Sequence, residues 1–439
     1  MSLNRRRFFG TAASWASAGA LASALGSKAA AAFTVTPHSE PPQPGAVPDW
    51  NAVRKDFPWV DRKIWLSAAD FHPIGLHSRR AADAYYAEFV DGPGEGSRLS
   101  GSQRSAMREM FGQLINARPA EIAFAVSTTD AENIVVEGLD LKRRTGNVVI
   151  DDLHYQASKY LYHMLEKESD IELRVVRHRA DPYWRIDPAD MEKAIDRNTL
   201  LVSMALVSNI NGYLHDARTT SEVAHAHGAY VYADIIQGAG AIPLDMKALG
   251  IDCAGCGTYK WLGGDRGFAF LYVREDLQER VIKRPRYGAS QFSNPNNAQA
   301  DSQFKLAPGA MMYECSNVVA EACGASTHAS LKYLHQLGIQ NIRAHAKPLI
   351  DLLQKEMPRL GYPAITAPDT PTSVVSFLAP DYAGMNAKLK KAFGYAVVAP
   401  RRWEFTHPSG EAYVIEGVRI SPSIYNNEHD VNRLLEALA

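Results

Sequence analysis

The feature that most constrains this chain is a regular alternation of short apolar runs with helix-like segments. The apolar runs that predict strands are Ile122–Val126, Asn147–Ile150, Leu200–Val207, Ala229–Ala233 and Gly267–Val273. The segments between them that predict helices include Asp130–Leu139, Gln156–Glu166, Pro188–Asp196 and Thr219–His227. Strands that alternate with helices of this length predict a mainly parallel sheet covered on both faces, and therefore an α/β fold.

The chain beyond residue 310 has a different pattern. A helical stretch from about Val318 to Glu356 is followed by predicted strands, a hairpin and a closing helix: Ser373–Leu378, Ala396–Val398, Ser409–Gly410, Val418–Ser421 and Asn427–Leu438. This pattern predicts a smaller α+β domain over residues 311–439, next to a large domain over residues 76–310 and an N-terminal segment over residues 50–75.

The first 32 residues resemble a secretory signal. Arg5–Arg7 precede two phenylalanines, an Ala-rich stretch runs from Thr11 to Leu25, and Ala29–Ala32 offer small residues for cleavage. The paired arginines are typical of a twin-arginine (Tat) signal, which predicts export to the periplasm by the Tat translocase. The alternative is an amphipathic helix or membrane anchor. A Pro-rich linker or arm is expected over residues 33–49.

Charge and cysteine content exclude several classes of function. The net charge is −1 and no block of like charges runs through the body of the chain, so nucleic-acid binding is not expected. After the signal, no segment approaches 18 apolar residues, so stable membrane insertion is not expected. The four cysteines do not suggest a disulfide framework. Cys253 and Cys256 form one C-x-x-C pair, which we interpret as buried thiols rather than as a zinc or redox site.

A lysine and a carboxylate stand out among the polar residues. Lys260 lies on a Gly-rich turn between the apolar runs Asp252–Gly257 and Phe268–Val273, and Asp234 closes an apolar run 26 residues earlier. Taken singly, a turn lysine is commonly solvated and such an aspartate is commonly a helix N-cap. Together they are the pair that pyridoxal 5′-phosphate (PLP) needs: a lysine positioned to form a Schiff base, and a carboxylate against the pyridinium nitrogen.

The segment from Asp234 to Gln237, followed by Lys260, resembles class V of the PLP-dependent aminotransferases. This fold type I class includes cysteine desulfurases, isopenicillin N epimerase and kynureninase, and the similarity extends from about Trp65 to the C-terminus. The resemblance implies a fold type I PLP-dependent transferase, with a large, mainly parallel sheet domain of the seven-stranded type and a smaller α+β domain. It implies that Gln237 contacts the ring oxygen of PLP, and that residues 50–75 line the active site.

The resemblance also implies roles for other residues around the cofactor. The family's phosphate-binding loop, which opens a helix, is matched by Ser127, Thr128 and Thr129. A helix N-terminus favours an anion at that place. Asn209 matches the asparagine that reaches the 3′-oxygen of PLP. Where the family stacks a ring on the pyridine, we expect Tyr155 rather than the adjacent His154.

Four further residues are placed by the same resemblance. Tyr259 replaces a common histidine before the lysine and is expected to contact the phosphate, as in kynureninase-like members. Ser290 falls where a neighbouring subunit usually adds a phosphate contact, which implies a homodimer with shared active sites. Arg419 is expected to grip the substrate α-carboxylate through its guanidinium fork. His72 is a candidate substrate contact in the N-terminal loop.

The predicted reaction begins when the amine of a small amino-acid or peptide-like substrate displaces Lys260. Transamination, epimerisation and decarboxylation share these first steps, and the sequence does not separate them. Desulfurase activity is not expected, because the stretch from Pro400 to Gly417 lacks the nucleophilic cysteine and Cys315 lies elsewhere.

The Tat-type signal makes the chain similar in layout to exported class V enzymes that modify the glutamate side chain of pyoverdine siderophores, and that role is our hypothesis. An isopenicillin N epimerase-like amino-acid epimerase is the alternative. A non-catalytic PLP-fold binding module is disfavoured because the cofactor residues are retained together. A sulfur-handling redox protein would require reactive thiols at Cys253 and Cys256.

Overall fold

Seven strands form one large sheet in the computed structural model, which describes residues 46–92, 99–180, 182–293, 304–315, 320–407 and 409–439. In chain order the strands are β1 (Ile122–Ala125), β2 (Gly146–Asp151), β3 (Ile171–Val176), β4 (Thr199–Ala205), β5 (Tyr230–Asp234), β6 (Cys253–Gly257) and β7 (Ala269–Val273). Their order in the sheet is β1-β7-β6-β5-β4-β2-β3; β7 runs antiparallel to β1 and β6, and the other neighbouring pairs are parallel. The predicted mainly parallel sheet is confirmed.

Strand β3 was not predicted, and its position explains why. It lies at the edge of the sheet and pairs with β2 alone. Polar side chains at Glu172 and Arg174 interrupt its apolar pattern, and residues 172–175 are not fully buried. An edge strand is buried less completely than a central one, so it lacks the continuous apolar run by which the central strands were recognised.

Helices connect the strands and cover the sheet. They are α1 (Trp50–Lys55), α2 (Pro58–Arg62), α3 (Leu76–Asp91), α4 (Gly101–Ile115), α5 (Thr128–Gly138), α6 (Gln156–Glu168), α7 (Pro188–Ala194) and α8 (Ala217–Ala226). Helix α5 begins directly after β1, and the Ser127 side chain caps it by accepting a hydrogen bond from the Asp130 backbone N–H at 3.0 Å. This cap places the positive end of the helix at the C-terminal edge of the sheet.

The C-terminal part forms a second, three-stranded antiparallel sheet in the order β8-β10-β9. Its elements are α9 (Glu321–Leu337), α10 (Ile339–Glu356), β8 (Val375–Leu378), α11 (Tyr382–Phe393), β9 (Ala399–Thr406), β10 (Ala412–Ile420) and α12 (Glu428–Leu438). The one long helix that we expected is two helices, because Gly338 has a φ of +77° between them. The hairpin and the closing helix lie where the sequence predicts them.

The expected strand at Ala396–Val398 is wrong, because β9 begins at Ala399. Val397 and Val398 are buried in the apolar core of the second sheet, which explains their apolar character. The Val397 carbonyl accepts a hydrogen bond from the Leu66 N–H at 2.8 Å, so this backbone pairs with the N-terminal segment instead of a strand.

The N-terminal segment links the two sheets. Leu66 and Ala68 form backbone hydrogen bonds with Ser421, which follows β10, and this contact places residues 69–71 beside the second sheet.

Both sheets belong to one compact unit, His38–Ala439, so the domain boundary near residue 310 stays a prediction. The predicted signal over residues 1–32 and residues 33–45 of the predicted linker lie outside the described residues. Within the described ranges, no helix is long and apolar enough to span a membrane, and no cluster of His, Cys, Asp and Glu side chains could hold a metal ion.

Candidate active site

A cavity that opens to solvent lies at the C-terminal edge of the large sheet, between strands β4 and β5, the start of α5 and the turn after β6. Its empty space, including the solvent at its mouth, is about 470 Å³. Nine of the residues that line it were predicted as cofactor or catalytic residues: Ser127, Thr128, Thr129, Tyr155, Asn209, Asp234, Gln237, Tyr259 and Lys260. The carboxyl ends of parallel strands are the usual ligand-binding edge of an α/β sheet.

Lys260 is held on a tight turn and is buried. Its carbonyl accepts a hydrogen bond from the Gly263 N–H at 2.8 Å, and Gly263 has a φ of +65°, a conformation that glycine adopts readily. Burial lowers the pKa of the Lys260 amine to about 8, although the nearby Asp234 carboxylate acts in the opposite direction. A substantial fraction of the amine is therefore neutral near pH 7–8, which is the nucleophilic form.

Asp234 is the last residue of β5 and is also buried. Burial raises the pKa of its carboxyl to about 6, while a hydrogen bond from the Ile236 N–H and the charge of Lys260 oppose that shift. At neutral pH the carboxylate is thus charged but weakly solvated. A charged, weakly solvated carboxylate can hold a protonated ring nitrogen strongly.

The opposite wall of the cavity is suited to an anion. Ser127, Thr128 and Thr129 surround the N-terminus of α5, where the helix dipole is positive. The Thr128 hydroxyl accepts a hydrogen bond from the Gly257 N–H at 2.9 Å, which joins the start of α5 to the end of β6. Burial raises the pKa of Tyr259 to about 12, so its phenol keeps the proton that it can donate to an anion.

Polar groups at the middle of the cavity fit the predicted PLP. The Asn209 side-chain oxygen is buried and has no hydrogen-bond partner among the described residues, so a ring hydroxyl would satisfy it. The Gln237 amide donates to the Ala69 carbonyl at 3.0 Å and accepts from the Trp261 indole at 2.8 Å, and these two contacts fix its direction. The set of residues present therefore fits the cofactor.

Tyr155, rather than His154, lines the cavity. The Lys260 nitrogen lies 5.9 Å from the centre of the Tyr155 ring. His154 is turned into the core, where its Nε2 contacts the Ser203 hydroxyl at 3.0 Å and its Nδ1 accepts from the Tyr155 N–H at 2.8 Å. His154 therefore acts as a support for the backbone of Tyr155.

A wider cleft adjoins the cavity and shares Lys260 with it. This outer cleft encloses about 1240 Å³ of empty space and is walled by residues 69–71 and by the second sheet. Arg419 on β10 lines it and is buried, with 2 % of its surface exposed. Its guanidinium donates to the Asn209 carbonyl at 2.7 Å and pairs with Asp70.

Two predicted residues do not line the cavity or the outer cleft. His72 is buried against Ser423, with 3.1 Å between His72 Nε2 and the hydroxyl, and the loop residue that reaches the cleft is Asp70. Ser290 lies away from the cavity of its own chain. Its expected role is in a neighbouring subunit, so that role stays a prediction.

Residues of two kinds in the site were not predicted from the sequence. Ala205, Val207 and Ile236 form apolar walls of the cavity, and nothing distinguishes them from core residues except their position at the ends of β4 and β5. Asp70 and Arg401 meet in the outer cleft although 331 positions separate them. Nothing in the sequence links two residues so far apart, and only the segment that joins the two sheets brings them together.

Comparison with known proteins gives a consistent result. Residues 82–434 match the family model described as aminotransferase class-V. A probable cysteine desulfurase of Methanothermobacter thermautotrophicus is 29% identical over 69% of this chain and 74% of its own length. The isopenicillin N epimerase of Streptomyces clavuligerus is 25% identical over 75% of this chain and 82% of its own.

Solved structures show the same fold. A cysteine desulfurase from Thermococcus onnurineus superposes with a TM-score of 0.74 at 21% identity, over 90% of this chain and 98% of its own. A variant of the lyase C-DES, whose description places glycine on its PLP cofactor, has a TM-score of 0.75 at 18% identity, over 88% of this chain and 98% of its own.

Proposed function

Because this chain belongs to the class V aminotransferase family, we propose that it is a PLP enzyme that acts at the α-carbon of an amino acid or of an amino-acid unit in a larger metabolite. One observation carries this proposal. Lys260 and Asp234, both buried and both shifted in pKa, line one cavity whose other wall is the N-terminus of α5. Perturbed titratable groups that converge in a cavity are the usual mark of an active site.

The cavity provides a holder for each part of PLP. Lys260 would hold the aldehyde carbon and Asp234 the ring nitrogen. Asn209 and Gln237 would hold the ring oxygen, Tyr155 the ring face, and the start of α5 with Tyr259 the phosphate. Bound PLP supplies an electron sink for charge that develops at the substrate α-carbon.

Lys260 has two tasks in this proposal. It holds the cofactor before the substrate binds, and once released its amine can remove a proton from the α-carbon. A pKa near 8 suits both tasks, because the neutral amine is a nucleophile and a base at physiological pH. Asp234 stays ionised above about pH 6 and would hold the ring nitrogen in its protonated form.

Arg419 would orient the substrate. A planar guanidinium can hold a carboxylate through two parallel hydrogen bonds, and the buried Arg419 lies in the outer cleft beside Lys260. A substrate gripped there would place its α-amine toward Lys260. Burial of the Arg419 guanidinium strengthens such a pairing.

Proton exchange at the α-carbon tests this function directly. The holoenzyme is incubated in deuterated water with glutamate, alanine and a siderophore precursor peptide, and deuterium at the α-carbon is measured by mass spectrometry. Exchange accompanied by a keto acid indicates transamination, and exchange with racemisation indicates epimerisation. Exchange in the wild type that is absent in Lys260→Ala supports the proposal, whereas equal exchange in both proteins contradicts it.

Transamination is our first choice for the reaction, and amino-acid epimerisation is the second because a relative is an isopenicillin N epimerase. Sulfur transfer is not favoured, although relatives are named desulfurases. Cys253 and Cys256 are buried, burial raises their thiol pKa, and no cysteine lines the described cavity or the outer cleft. A non-catalytic binding module is not favoured, because Lys260, Asp234, Gln237, Asn209 and Arg419 are retained together.

We further propose that the protein is exported to the periplasm and modifies the glutamate side chain of a pyoverdine-type siderophore. The support is the Tat-type pattern at Arg5–Arg7 and the family membership. Replacing Arg5 and Arg6 by lysine should leave the protein in the cytoplasmic fraction. A deletion strain should secrete a siderophore of altered mass, and an unchanged mass profile would exclude this substrate.

We also propose a homodimer in which Ser290 of each subunit contacts the phosphate held by the other. Light scattering of the purified protein should give twice the chain mass. A monomer that binds PLP fully would contradict the shared active site.

A further inference from the structure

The outer cleft is strongly basic. The residues that line it include four arginines and a single acidic residue, Asp70. Arg401 and Arg419 pair with Asp70, whereas the Arg402 side chain pairs with Glu416. The fourth is Arg266. A concave surface of one charge sign attracts ligands of the opposite sign. A single α-carboxylate needs one guanidinium, so the cleft carries more positive charge than a monocarboxylic amino acid requires.

Asp70 joins two of these arginines. One oxygen of its carboxylate contacts both the Arg401 and the Arg419 guanidinium, and the other accepts a hydrogen bond from the Ser67 hydroxyl at 2.9 Å. Burial alone would raise the pKa of Asp70, but Arg419 and Arg401 hold it below its ordinary value. Asp70 is therefore a carboxylate anion placed between two cations.

Both guanidinium groups keep unused hydrogen-bonding capacity. The Nε of Arg419 is buried and has no partner in the described part of the chain. Arg401 offers a single contact to Asp70, and its side chain is 35% exposed to the cleft. A guanidinium has five N–H donors, and a buried donor without a partner is costly, so a ligand oxygen is expected there.

The register of the second sheet places the two arginines side by side. Arg401 on β9 lies opposite Gly417 on β10, and Arg419 lies two residues farther along β10, so both side chains leave the same face. Diagonal neighbours of this kind are about 7–8 Å apart at their Cα atoms. Because the two guanidinium groups belong to separate side chains, each of them can hold its own anionic group.

We propose that Arg401 forms a second anion subsite beside Arg419, so that the enzyme accepts an amino acid, or a terminal amino-acid unit, that carries a second acidic group. This rests on the proposed function, because it takes Arg419 as the holder of the α-carboxylate. Asp70 keeps the two arginines in place before the substrate binds, and the second acid group of the substrate then occupies the unused donors of Arg401.

Arg402 provides a matched control. It is the next residue on β9 and has the same charge, but its side chain leaves the opposite face and its Nε pairs with Glu416 at 3.1 Å. Arg402→Gln and Arg401→Gln each remove one positive charge. A general electrostatic effect would therefore appear in both variants.

Calorimetric titration of the holoenzyme with glutarate and valerate tests the subsite. These two acids have five carbons each and lack an amine, so binding is measured without a reaction. The wild type should bind glutarate at least about tenfold more tightly than valerate, since a charge-assisted pair adds roughly that much. Arg401→Gln should remove this preference and leave valerate binding unchanged. Arg402→Gln should keep the preference.

Three results would overturn the subsite: equal binding of the two acids by the wild type, equal weakening of both by Arg401→Gln, or loss of the preference in Arg402→Gln. If Arg401→Gln fails to fold, Arg401→Lys keeps the charge and should retain part of the preference. The visible absorbance of the lysine-bound cofactor is recorded on every sample. Its absence would contradict the proposed function, whereas its presence without a glutarate preference would contradict the subsite alone.

Discussion

The inner cavity and the outer cleft share Lys260 but are built differently. The cavity is made by one sheet and the elements that follow its strands, and its charged groups are few and buried. The cleft is made where the N-terminal segment meets the second sheet, and arginines dominate it. The first arrangement suits one constant cofactor, and the second suits a substrate that can differ between members of a family.

This difference predicts that substitutions in the cavity abolish turnover, whereas substitutions in the cleft alter which substrate is bound. Cofactor binding reports on the cavity, and substrate or ligand binding reports on the cleft.

Replacing Lys260 by alanine should have the largest effect. Turnover should fall at least about 1000-fold, because both the nucleophile and the base are lost. Binding of glutarate in the outer cleft, measured by calorimetry, should weaken far less than turnover, because Arg401 and Arg419 remain. Lys260→Arg keeps the positive charge and should be equally inactive; substantial turnover in either variant would break the distinction between the two regions.

Replacing Arg419 by glutamine should reduce kcat/KM about 100-fold while the cofactor absorbance is retained. The reason is the loss of a buried, charge-assisted contact with the substrate carboxylate. Arg419→Lys, which keeps the charge but loses the planar fork, should lose about tenfold. Steady-state kinetics check both values. A loss of cofactor from Arg419→Gln would show that the cleft also supports the cavity.

The rate at which PLP attaches to the cofactor-free protein should depend on pH through Lys260. Burial lowers the pKa of this amine to about 8, so the neutral fraction, and with it the rate, should rise about tenfold per pH unit below pH 8 and level off above it. Stopped-flow absorbance measures this profile. A midpoint near the ordinary lysine value would contradict the buried position of the amine.

Asp234→Asn sharpens the same experiment. The Asp234 carboxylate favours the protonated amine, so removing its charge should move the midpoint to a lower pH. Arg402→Gln, which changes a charge outside the cavity, should leave the midpoint in place.

Replacing Tyr155 by leucine should have the smallest effect, a loss of about three- to tenfold in PLP affinity. An aromatic contact contributes about 0.5–1.5 kcal/mol beyond its apolar area. His154→Asn should leave the affinity within about twofold and lower the melting temperature instead, because His154 lies in the core. Fluorescence titration and thermal unfolding give the two values, and the reverse pattern would place the stacking ring at His154.

The sequence alone marks only part of the cavity. Asp234 closes the apolar run of β5, and a carboxylate at that position indicates the ligand-binding edge of the sheet. Asn209, Gln237, Tyr155 and the residues at the start of α5 were placed by the family resemblance. The apolar wall at Ile236 has no such mark. Edge strand β3 was missed because its alternating polar residues weaken the apolar signal.

The outer cleft was predicted only in part, and the reason is distance along the chain. Arg419 was found by family resemblance. Arg419 and Arg401 both pair with Asp70. That pairing depends on backbone contacts of the N-terminal segment with the residues just before β9 and just after β10. His72 was placed in the cleft by the same resemblance, but the loop turns so that Asp70 points into the cleft and His72 packs against Ser423.

The central claim is that Lys260 carries PLP, and one measurement tests it most directly. The purified protein is incubated with PLP, reduced with borohydride and digested, and the modified peptide is identified by mass spectrometry. The account predicts a visible absorbance band before reduction and a single pyridoxyl label on Lys260 after it. No band, or a label on another lysine while Lys260 stays free, would contradict the account.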